Sequence, residues 1–395
     1  MIYHEFQGDT LSALGFGAMR LPTLADESID VARVEEMVAY AMAHGVNYFD
    51  TAMPYHAGMS EVVMGKILSK YPRDSYRLAT KYPGHQVCSS YDPAATFEQQ
   101  LRKCGVEYFD YYLLHNVSES TVGNYEDPRW GIIPYFLEQK RLGRIKHLGF
   151  STHGRLGMLR GFLERHGKDM DFCQIQLNYL DWTLQYAKEK YAMLEEFGIP
   201  VWVMEPVRGG KLAKLDPESE ARMKQLRPEE SVAAWGFRFL QGLPNVKMIL
   251  SGMSNMDQMV DNVKTFTESK PLNGQEQALV FEIAEGLKNT VPCTRCRYCC
   301  DGCPKGLDIP TLLGILNELR FSDSVNTAMM LEFAPEDQKP TACIACGKCV
   351  RSCPQNIDIP GALKELTEKL KTIPSWAALS KLREEEMRQS MASLK

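Results

Sequence analysis

Short apolar runs alternate with amphipathic stretches from the first residue to about 270. The runs are Ala13–Gly17, Asn47–Asp50, Arg77–Lys81, Asp110–His115, Ile145–Phe150, Phe172–Gln176, Pro200–Met204 and Lys247–Leu250. Between them, Val31–His44, Pro93–Cys104, Met158–Arg165, Tyr186–Phe197 and Glu229–Gln241 space their apolar residues as amphipathic helices do. Eight strand–helix alternations in this length predict an α/β fold, and a (β/α)8 TIM barrel better than an open doubly wound sheet. No G-x-G-x-x-G follows any run, which argues against a Rossmann unit. In such a barrel the active site is built at the C-terminal ends of the strands.

Beyond the barrel the pattern changes. Gln275–Lys288 predicts a helix, and two cysteine motifs follow, fifty residues apart. The first is Cys293, Cys296, Cys299 and Cys303 before Pro304, with Asp308, Ile309 and Pro310 downstream. The second is Cys343, Cys346, Cys349 and Cys353 before Pro354, with Asp358, Ile359 and Pro360. Both read C-x2-C-x2-C-x3-C-P, the spacing of bacterial-type 4Fe–4S binding, in which the fourth cysteine ligates the other cluster. That rule groups Cys293, Cys296, Cys299 and Cys353 on one cluster, and Cys343, Cys346, Cys349 and Cys303 on the second. Zinc, the rival, needs two C-x2-C pairs per ion and leaves the third cysteine, the fourth and the proline unexplained. Cys300, an extra thiol in the first loop, reads as a bystander or an alternative ligand. Thirty-nine residues separate Cys303 from Cys343, and Thr311–Leu319 and Asn326–Phe333 within them look helical. The expected organisation is a barrel over 1–272, a small, mostly helical, ferredoxin-like iron–sulfur domain over 273–375 and a charged helical tail over 376–395.

Composition narrows the class of function. The 395 residues are 44% hydrophobic and 24% charged, with a net charge of −5, which gives no reason to expect nucleic acid or an anionic membrane as partner. No apolar run is long enough to span a bilayer, and the first ten residues lack the basic and apolar regions of a signal peptide. Nine of the twelve cysteines lie between Cys293 and Cys353 at metal spacing, so a reducing cytoplasm is the expected location. Cys88, Cys104 and Cys173 read as buried free thiols.

Four chemically able residues fall at consecutive strand ends: Asp50 in Phe49-Asp50-Thr51-Ala52, Tyr55 five residues on, Lys81 in Ala79-Thr80-Lys81-Tyr82, and His115 in Tyr112-Leu113-Leu114-His115-Asn116. Taken singly, an Asp-Thr at a strand end is often a helix cap and a lone histidine a satisfied core residue; the set is what argues for a site. With Leu14-Gly15-Phe16-Gly17-Ala18-Met19-Arg20 near the start and Gly143-Arg144-Ile145-Lys146-His147-Leu148-Gly149-Phe150-Ser151 at the fifth run, residues 1 to about 270 resemble the aldo-keto reductases. The whole chain resembles the subgroup of that family with a ferredoxin-like C-terminal extension.

The resemblance implies an oxidoreductase that transfers hydride between a nicotinamide cofactor, NADP or NAD, and a carbonyl or alcohol substrate. It implies that Tyr55 is the general acid, Lys81 lowers its pKa, Asp50 holds Lys81, and His115 orients the carbonyl. It also implies nucleotide contacts at Gly17, Met19 and Arg20, at Ser151, Thr152 (where Asn is common) and Gln176, at Arg208, Gly209, Gly210 and Lys211 after the seventh strand, and at Ser254, Gln258, Asp261 and Asn262 after the eighth. No Lys or Arg lies between Lys247 and Lys264, where many relatives hold the 2′-phosphate of NADP, so NADPH and NADH both stay open. Met53, His56, His85, Asn116 and Trp130 are candidates for the substrate pocket. Nicotinamides move two electrons together and each cluster moves one, so the clusters are expected to serve an external ferredoxin or flavoprotein, or to be structural or sensing. The alternative is an electron-transfer or redox-sensing module whose barrel binds nucleotide without carbonyl turnover.

Overall fold

The computed structural model describes residues 1–392 except 87, 289, 292, 294–296, 354 and 356, with side chains described as far as 389. Contacts divide the chain into two units: Met1–Phe281 together with residues 383 onward, and Glu282–Leu382.

The first unit opens with an antiparallel hairpin, β1 (Tyr3–Phe6) and β2 (Asp9–Ser12). Eight parallel strands then close a barrel: β3 (Leu14–Gly17), β4 (Tyr48–Asp50), β5 (Arg77–Tyr82), β6 (Phe109–Leu114), β7 (Ile145–Thr152), β8 (Phe172–Gln176), β9 (Val201–Met204) and β10 (Val246–Ser251). β10 pairs with β3 to complete the ring, with Ile249 opposite Leu14. The TIM barrel expected from the alternating runs is therefore present, each run lying on or within two residues of its strand. β6 is buried along its whole length, as a strand covered on both faces must be, which is why it reads as an apolar run.

Large side chains fill the barrel interior: Tyr48, Tyr111, Phe172, Trp202 and Met248 pack with Phe6 and Leu11 of the hairpin. Gly15 faces this layer, and a Cβ there would stand 2.6 Å from Leu250 Cδ2 and 2.7 Å from Met248 Sδ, so a larger residue would make both side chains shift. The hairpin closes the N-terminal end. Asp9 accepts hydrogen bonds from Arg77 Nε at 2.7 Å and Tyr111 Oη at 3.0 Å. Burial alone would raise the pKa of Asp9, but His147, Arg77 and Tyr111 together hold it well below the carboxylate range. With that end sealed, a ligand site falls to the C-terminal ends of the strands, where barrels of this kind build theirs.

The second unit is built from two similar halves. The one-turn helices Tyr298–Asp301 and Lys348–Arg351 pack together, as do the longer helices Ile309–Phe321 and Ile359–Thr372. Each long helix begins two residues after a buried apolar residue, Leu307 or Ile357, and their inner faces (Leu312, Leu316 and Leu319 against Leu363 and Leu366) form one core. Helices Gly274–Leu287 and Val325–Glu332 match the sequence expectation to within a residue at each end.

Candidate active site and iron–sulfur centre

Lys81 is a charged residue inside a buried strand, and its side chain is wholly inaccessible. Such a charge needs a partner. Register supplies one: Asp50 lies opposite Ala79, so Lys81, two residues on, faces the same way one step nearer the barrel mouth. Lys81 Nζ donates to Asp50 Oδ1 at 2.6 Å and to the Thr51 carbonyl at 2.8 Å. Lys81 also lies opposite Leu113, and His115 follows two residues later on the same face. Tyr55 arrives differently, at the start of the turn Tyr55–Gly58 after β4. Lys81 Nζ sits 4.9 Å from the centre of its ring, and the His115 ring meets Tyr55 edge-on at 6.1 Å. The four residues thus converge on one mouth.

Electrostatics follow from this packing. Burial opposes the charge on Lys81, but Asp50 and Tyr55 more than compensate and hold its pKa above the usual lysine value. Burial raises Asp50 and outweighs the neighbouring ammonium. Burial also raises Tyr55; Lys81 pulls in the opposite direction without prevailing, so the net shift is opposite to the one expected. The physical reason is that the phenol loses more hydration than a single ammonium restores. His115 lies far below its usual value, first through burial and then through His85 and Lys81, so its imidazole is neutral. The His85 ring stands 4.2 Å from it, and burial followed by Arg383 brings His85 down to about 3.

Behind the mouth, three loops meet at Arg20. Ser254 Oγ donates to the Arg20 carbonyl at 2.8 Å, Gln258 Oε1 accepts from the Ser254 amide, and the Arg20 guanidinium reaches Glu205 at 3.3 Å. Gly209 approaches so closely that a Cβ there would stand 3.0 Å from the guanidinium. Gly17 lies beside the Ser251 backbone, and Met19 is exposed next to Arg20. The loop after β9 is backbone-strained: Glu205, Arg208, Gly209 and Gly210 all have positive φ, at 58°, 47°, 63° and 92°. Lys211 closes its short turn.

Several expected nucleotide contacts are engaged elsewhere. Arg208 is buried and its guanidinium donates to Asp181, which also accepts from Gln176 Nε2 at 2.8 Å and Asn178 Nδ2 at 2.7 Å. Thr152 Oγ1 donates to the Val117 carbonyl and accepts from Gly154. Asp261 accepts from Ser231, and Asn262 donates to Ser251. Ser151 Oγ accepts from the Asn116 amide at 2.8 Å, while Asn116 Oδ1 is buried with no hydrogen-bond partner among the described residues.

Among the pocket candidates, Met53 is buried and His56 Nε2 accepts from the Leu21 amide at 3.1 Å. Trp130 packs on Tyr91 at 5.6 Å. Residues overlooked in the sequence are His153, whose field reaches His85 and His115, and Asp181, which holds Arg208. His153 directly follows Ser151 and Thr152 and was findable by that adjacency; Asp181 carries no local signal.

In the second unit, Cys293, Cys299 and Cys353 line one narrow cleft, walled by Pro310, Leu313, Ile357 and Ile359. Two of these thiols come from the first motif and one from the second. Cys303, the fourth cysteine of the first motif, does not line it. Cys296 lies outside the described residues. Burial, then Cys300 and Cys293, push Cys299 up to about 12. In the second motif Cys349 is buried, Cys346 is exposed, and the Ala345 amide donates to Cys343 Sγ at 3.4 Å.

A closed β/α barrel with these side chains at its mouth has the architecture of a barrel oxidoreductase. Residues 13–285 match the model of the aldo/keto reductase family, and the chain belongs to that family. Residues 292–357 match the 4Fe-4S dicluster domain. Probable aldo-keto reductase 1 of Glycine max is 27% identical over 220 residues, a match that spans 52% of this chain and 58% of that protein. The holo form of an aldo-keto reductase from Bacillus halodurans superposes with a TM-score of 0.58 at 25% identity, over 72% of this chain and 96% of that one. An aldo-keto reductase from Klebsiella pneumoniae in complex with NADPH has the same fold, with a TM-score of 0.56 at 20% identity over 72% of this chain and 96% of that one. Among the described residues no helix is long and apolar enough to cross a membrane.

Proposed function

We propose that the chain interconverts a small-molecule carbonyl and its alcohol using a nicotinamide dinucleotide, and that its second unit carries two 4Fe–4S clusters. The observation that carries this reading is the convergence of Tyr55, His115 and the buried Lys81–Asp50 pair on one barrel mouth. A bound nicotinamide supplies or accepts hydride at the substrate carbon; the protein's own residues manage the oxygen. His115, neutral and half-buried, orients the carbonyl by hydrogen bonding. Tyr55, protonated at neutral pH, donates the proton. Lys81 stabilises the phenolate that remains, and Asp50 fixes the ammonium where that charge develops.

The residues fit a dinucleotide. Asn116 Oδ1 beside Ser151 offers an unsatisfied acceptor suited to a carboxamide N–H. The strained glycine turn after β9, with Arg20 and Lys211, suits a phosphate, whereas Arg208 serves the loop by anchoring Asp181. The neighbour from Klebsiella pneumoniae, recorded with NADPH, supports the class of cofactor. The meeting of Cys293 and Cys299 with Cys353 supports a cluster ligated by Cys293, Cys296, Cys299 and Cys353, leaving Cys343, Cys346, Cys349 and Cys303 for the second; clusters of this kind supply one-electron transfer.

Steady-state NADPH oxidation with 4-nitrobenzaldehyde tests the reading. Tyr55→Phe is expected to lower kcat by about a hundredfold or more, the scale of a lost general acid. Equal rates in the two proteins overturn the assignment.

A further inference from the structure

The turn that presents Tyr55 is backbone-strained: His56, Ala57 and Gly58 follow one another at φ of 49°, 51° and 86°. Such a turn keeps its shape only where its surroundings impose it. The helix Met59–Leu68 begins directly after it, and the first turn of that helix is tied down on several sides. Ser60 Oγ donates to the Ala18 carbonyl at 2.9 Å and stands 2.8 Å from Thr51 Oγ1. Glu61, wholly buried, carries more. Its Oε1 accepts from Thr80 Oγ1 and from Gln100 Nε2, both at 2.7 Å, and its Oε2 accepts from Lys103 Nζ at 2.8 Å. Thr80 precedes Lys81 on β5, and Gln100 and Lys103 belong to the helix Pro93–Cys104. Gln100 Nε2 also donates to the Lys81 carbonyl at 3.0 Å, and Gln100 Oε1 accepts from Tyr112 Oη at 2.5 Å. Lys103 abuts the turn as well: a Cβ at Gly58 would stand 3.4 Å from its Nζ, and 3.2 Å from Met387 Cγ of the C-terminal helix Trp376–Ala392.

We propose that Glu61 is a positioning residue for proton transfer: through Thr80, Gln100 and Lys103 it fixes the helix behind Tyr55 to the strand that carries Lys81, and so sets the distance from phenol to ammonium. This proposal rests on the carbonyl reading above and adds to it a residue that touches no reacting atom. Tyr55 reaches the mouth on a turn and Lys81 on a strand, so no shared element fixes their separation. Glu61 lies six positions after the tyrosine and accepts from the residue next to the lysine. Stability alone does not account for it. Two charges cost hydration to bury, and apolar side chains of similar volume often hold a core as well or better. Apolar side chains do not, however, bind donors from two further elements in fixed directions. Gly65, one turn along from Glu61, lets the two helices run close enough for these bonds: a Cβ there would stand 2.5 Å from the Cys104 carbonyl oxygen.

Two double variants of the full-length holoprotein test this: Glu61→Gln with Lys103→Met, and Glu61→Met with Lys103→Met. Neither strands a charge, and they differ in whether position 61 offers an oxygen to Thr80 and Gln100. Asp110→Asn is the control, because Asp110 is an equally buried carboxylate that accepts from Arg73, Lys146 and the Leu78 amide near the start of β5. The readouts are the pH profile of kcat with NADPH and 4-nitrobenzaldehyde, and the fluorine NMR titration of 3-fluorotyrosine placed at position 55, which needs no turnover. A phenol farther from its ammonium is a weaker acid. The Glu61→Met pair is therefore expected to have a kcat about tenfold below that of the Glu61→Gln pair, the scale of a small misplacement. Its alkaline limb and its fluorine titration are both expected about one pH unit higher. Asp110→Asn is expected to keep both at their wild-type positions, whatever its melting temperature. Thr80→Val deletes one donor at nearly constant shape and is expected to move both readouts the same way by less. Coincident readouts in the two pairs overturn the proposal, as does an equal displacement in Asp110→Asn. Where the Glu61→Met pair does not fold, wild-type readouts in Thr80→Val overturn it. Should wild type reduce no aldehyde, the carbonyl reading fails, and the fluorine titration still decides whether Glu61 sets the surroundings of Tyr55.

Discussion

Asp50, Tyr55, Lys81 and His115 come from three strands and a turn spread over 66 positions, and meet because a closed barrel points their strand ends at one opening. Cys293 and Cys299 share a loop, and Cys353 joins them from a second copy of the same loop. The two sites differ in what holds them. The barrel site stands on a floor of Tyr48, Tyr111, Phe172 and Trp202 that packs whether or not a ligand is present. The cysteine unit has a small apolar core between two helices, and its loops bring cysteines of both motifs together where a bound cation would favour their thiolates. A scaffold-held site is preorganised, whereas a ligand-held site folds with its ligand.

The largest effect that sharpens this contrast is on iron. Cys299→Ser and Cys353→Ser each remove a ligand of the same proposed cluster, so each is expected to lower bound iron from about eight to about four per chain. The double variant is expected to lose no more than either single one, because both act on one cluster. Pairing Cys299→Ser with Cys349→Ser is expected to remove nearly all of it. Iron and sulfide analysis of anaerobically purified protein decides this. If Cys299→Ser with Cys353→Ser empties both clusters, the crossed ligand assignment is wrong. Tyr55→Phe, which touches no ligand, is expected to keep its full iron.

Next in size is the buried ion pair. Lys81→Met leaves the Asp50 carboxylate buried and uncompensated, which costs about 3–5 kcal/mol in comparable pairs. Lys81→Met with Asp50→Asn removes the stranded charge and is expected to recover much of that loss without recovering turnover, since Tyr55 still lacks its ammonium. Denaturant midpoints of the barrel transition, followed with NADPH oxidation, separate the two effects. A double variant as unstable as the single one argues that Lys81 acts mainly through its packing.

These cases also mark where the sequence was legible. Three strand ends and the turn after one of them carry the four mouth residues, and strand order follows from the alternation of apolar runs, so the fold and the meeting of these four side chains were readable together. The cysteine repeat was readable for a simpler reason: its geometry is local, and spacing encodes local geometry. What stayed hidden depended on contacts between distant segments. The hairpin of β1 and β2 has no apolar run and is fixed only by packing under the barrel. Arg208 looks like a phosphate ligand beside two glycines, until Asp181, 27 positions earlier, is found to hold it. Met387 sits among charged neighbours in a stretch that reads as surface, and only its approach to Gly58 shows that this part of the C-terminal helix packs on the barrel unit. Net pKa direction was hidden as well, because burial at Tyr55 outweighs the one charge the sequence displays.

The smallest expected effect lies within the cysteine unit, where the two copies solve one problem in two ways. Both long helices start at Asp-Ile-Pro, with the aspartate as N-cap. Asp358 accepts from the Gly361 amide at 3.1 Å and so satisfies a first-turn donor. Asp308 instead takes Arg297, at 3.0 Å, and caps no amide; both partners are substantially exposed. Arg297 stands in the first cysteine loop at φ of +66°, where the second copy has Gly347, which adopts such a conformation without strain. An exposed pair of this kind contributes a few tenths of a kcal/mol to about 1, and salt screens it. Asp358→Ala is therefore expected to destabilise the unit by about 1 kcal/mol at any ionic strength. Asp308→Ala is expected to do so by less, with a difference that fades as salt is raised from about 0.05 to 0.5 M. Thermal melts of the holoprotein at both ionic strengths read this directly. Equal, salt-independent losses from the two variants would show that Asp308 caps its helix in solution after all, and that the two copies are held by the same device.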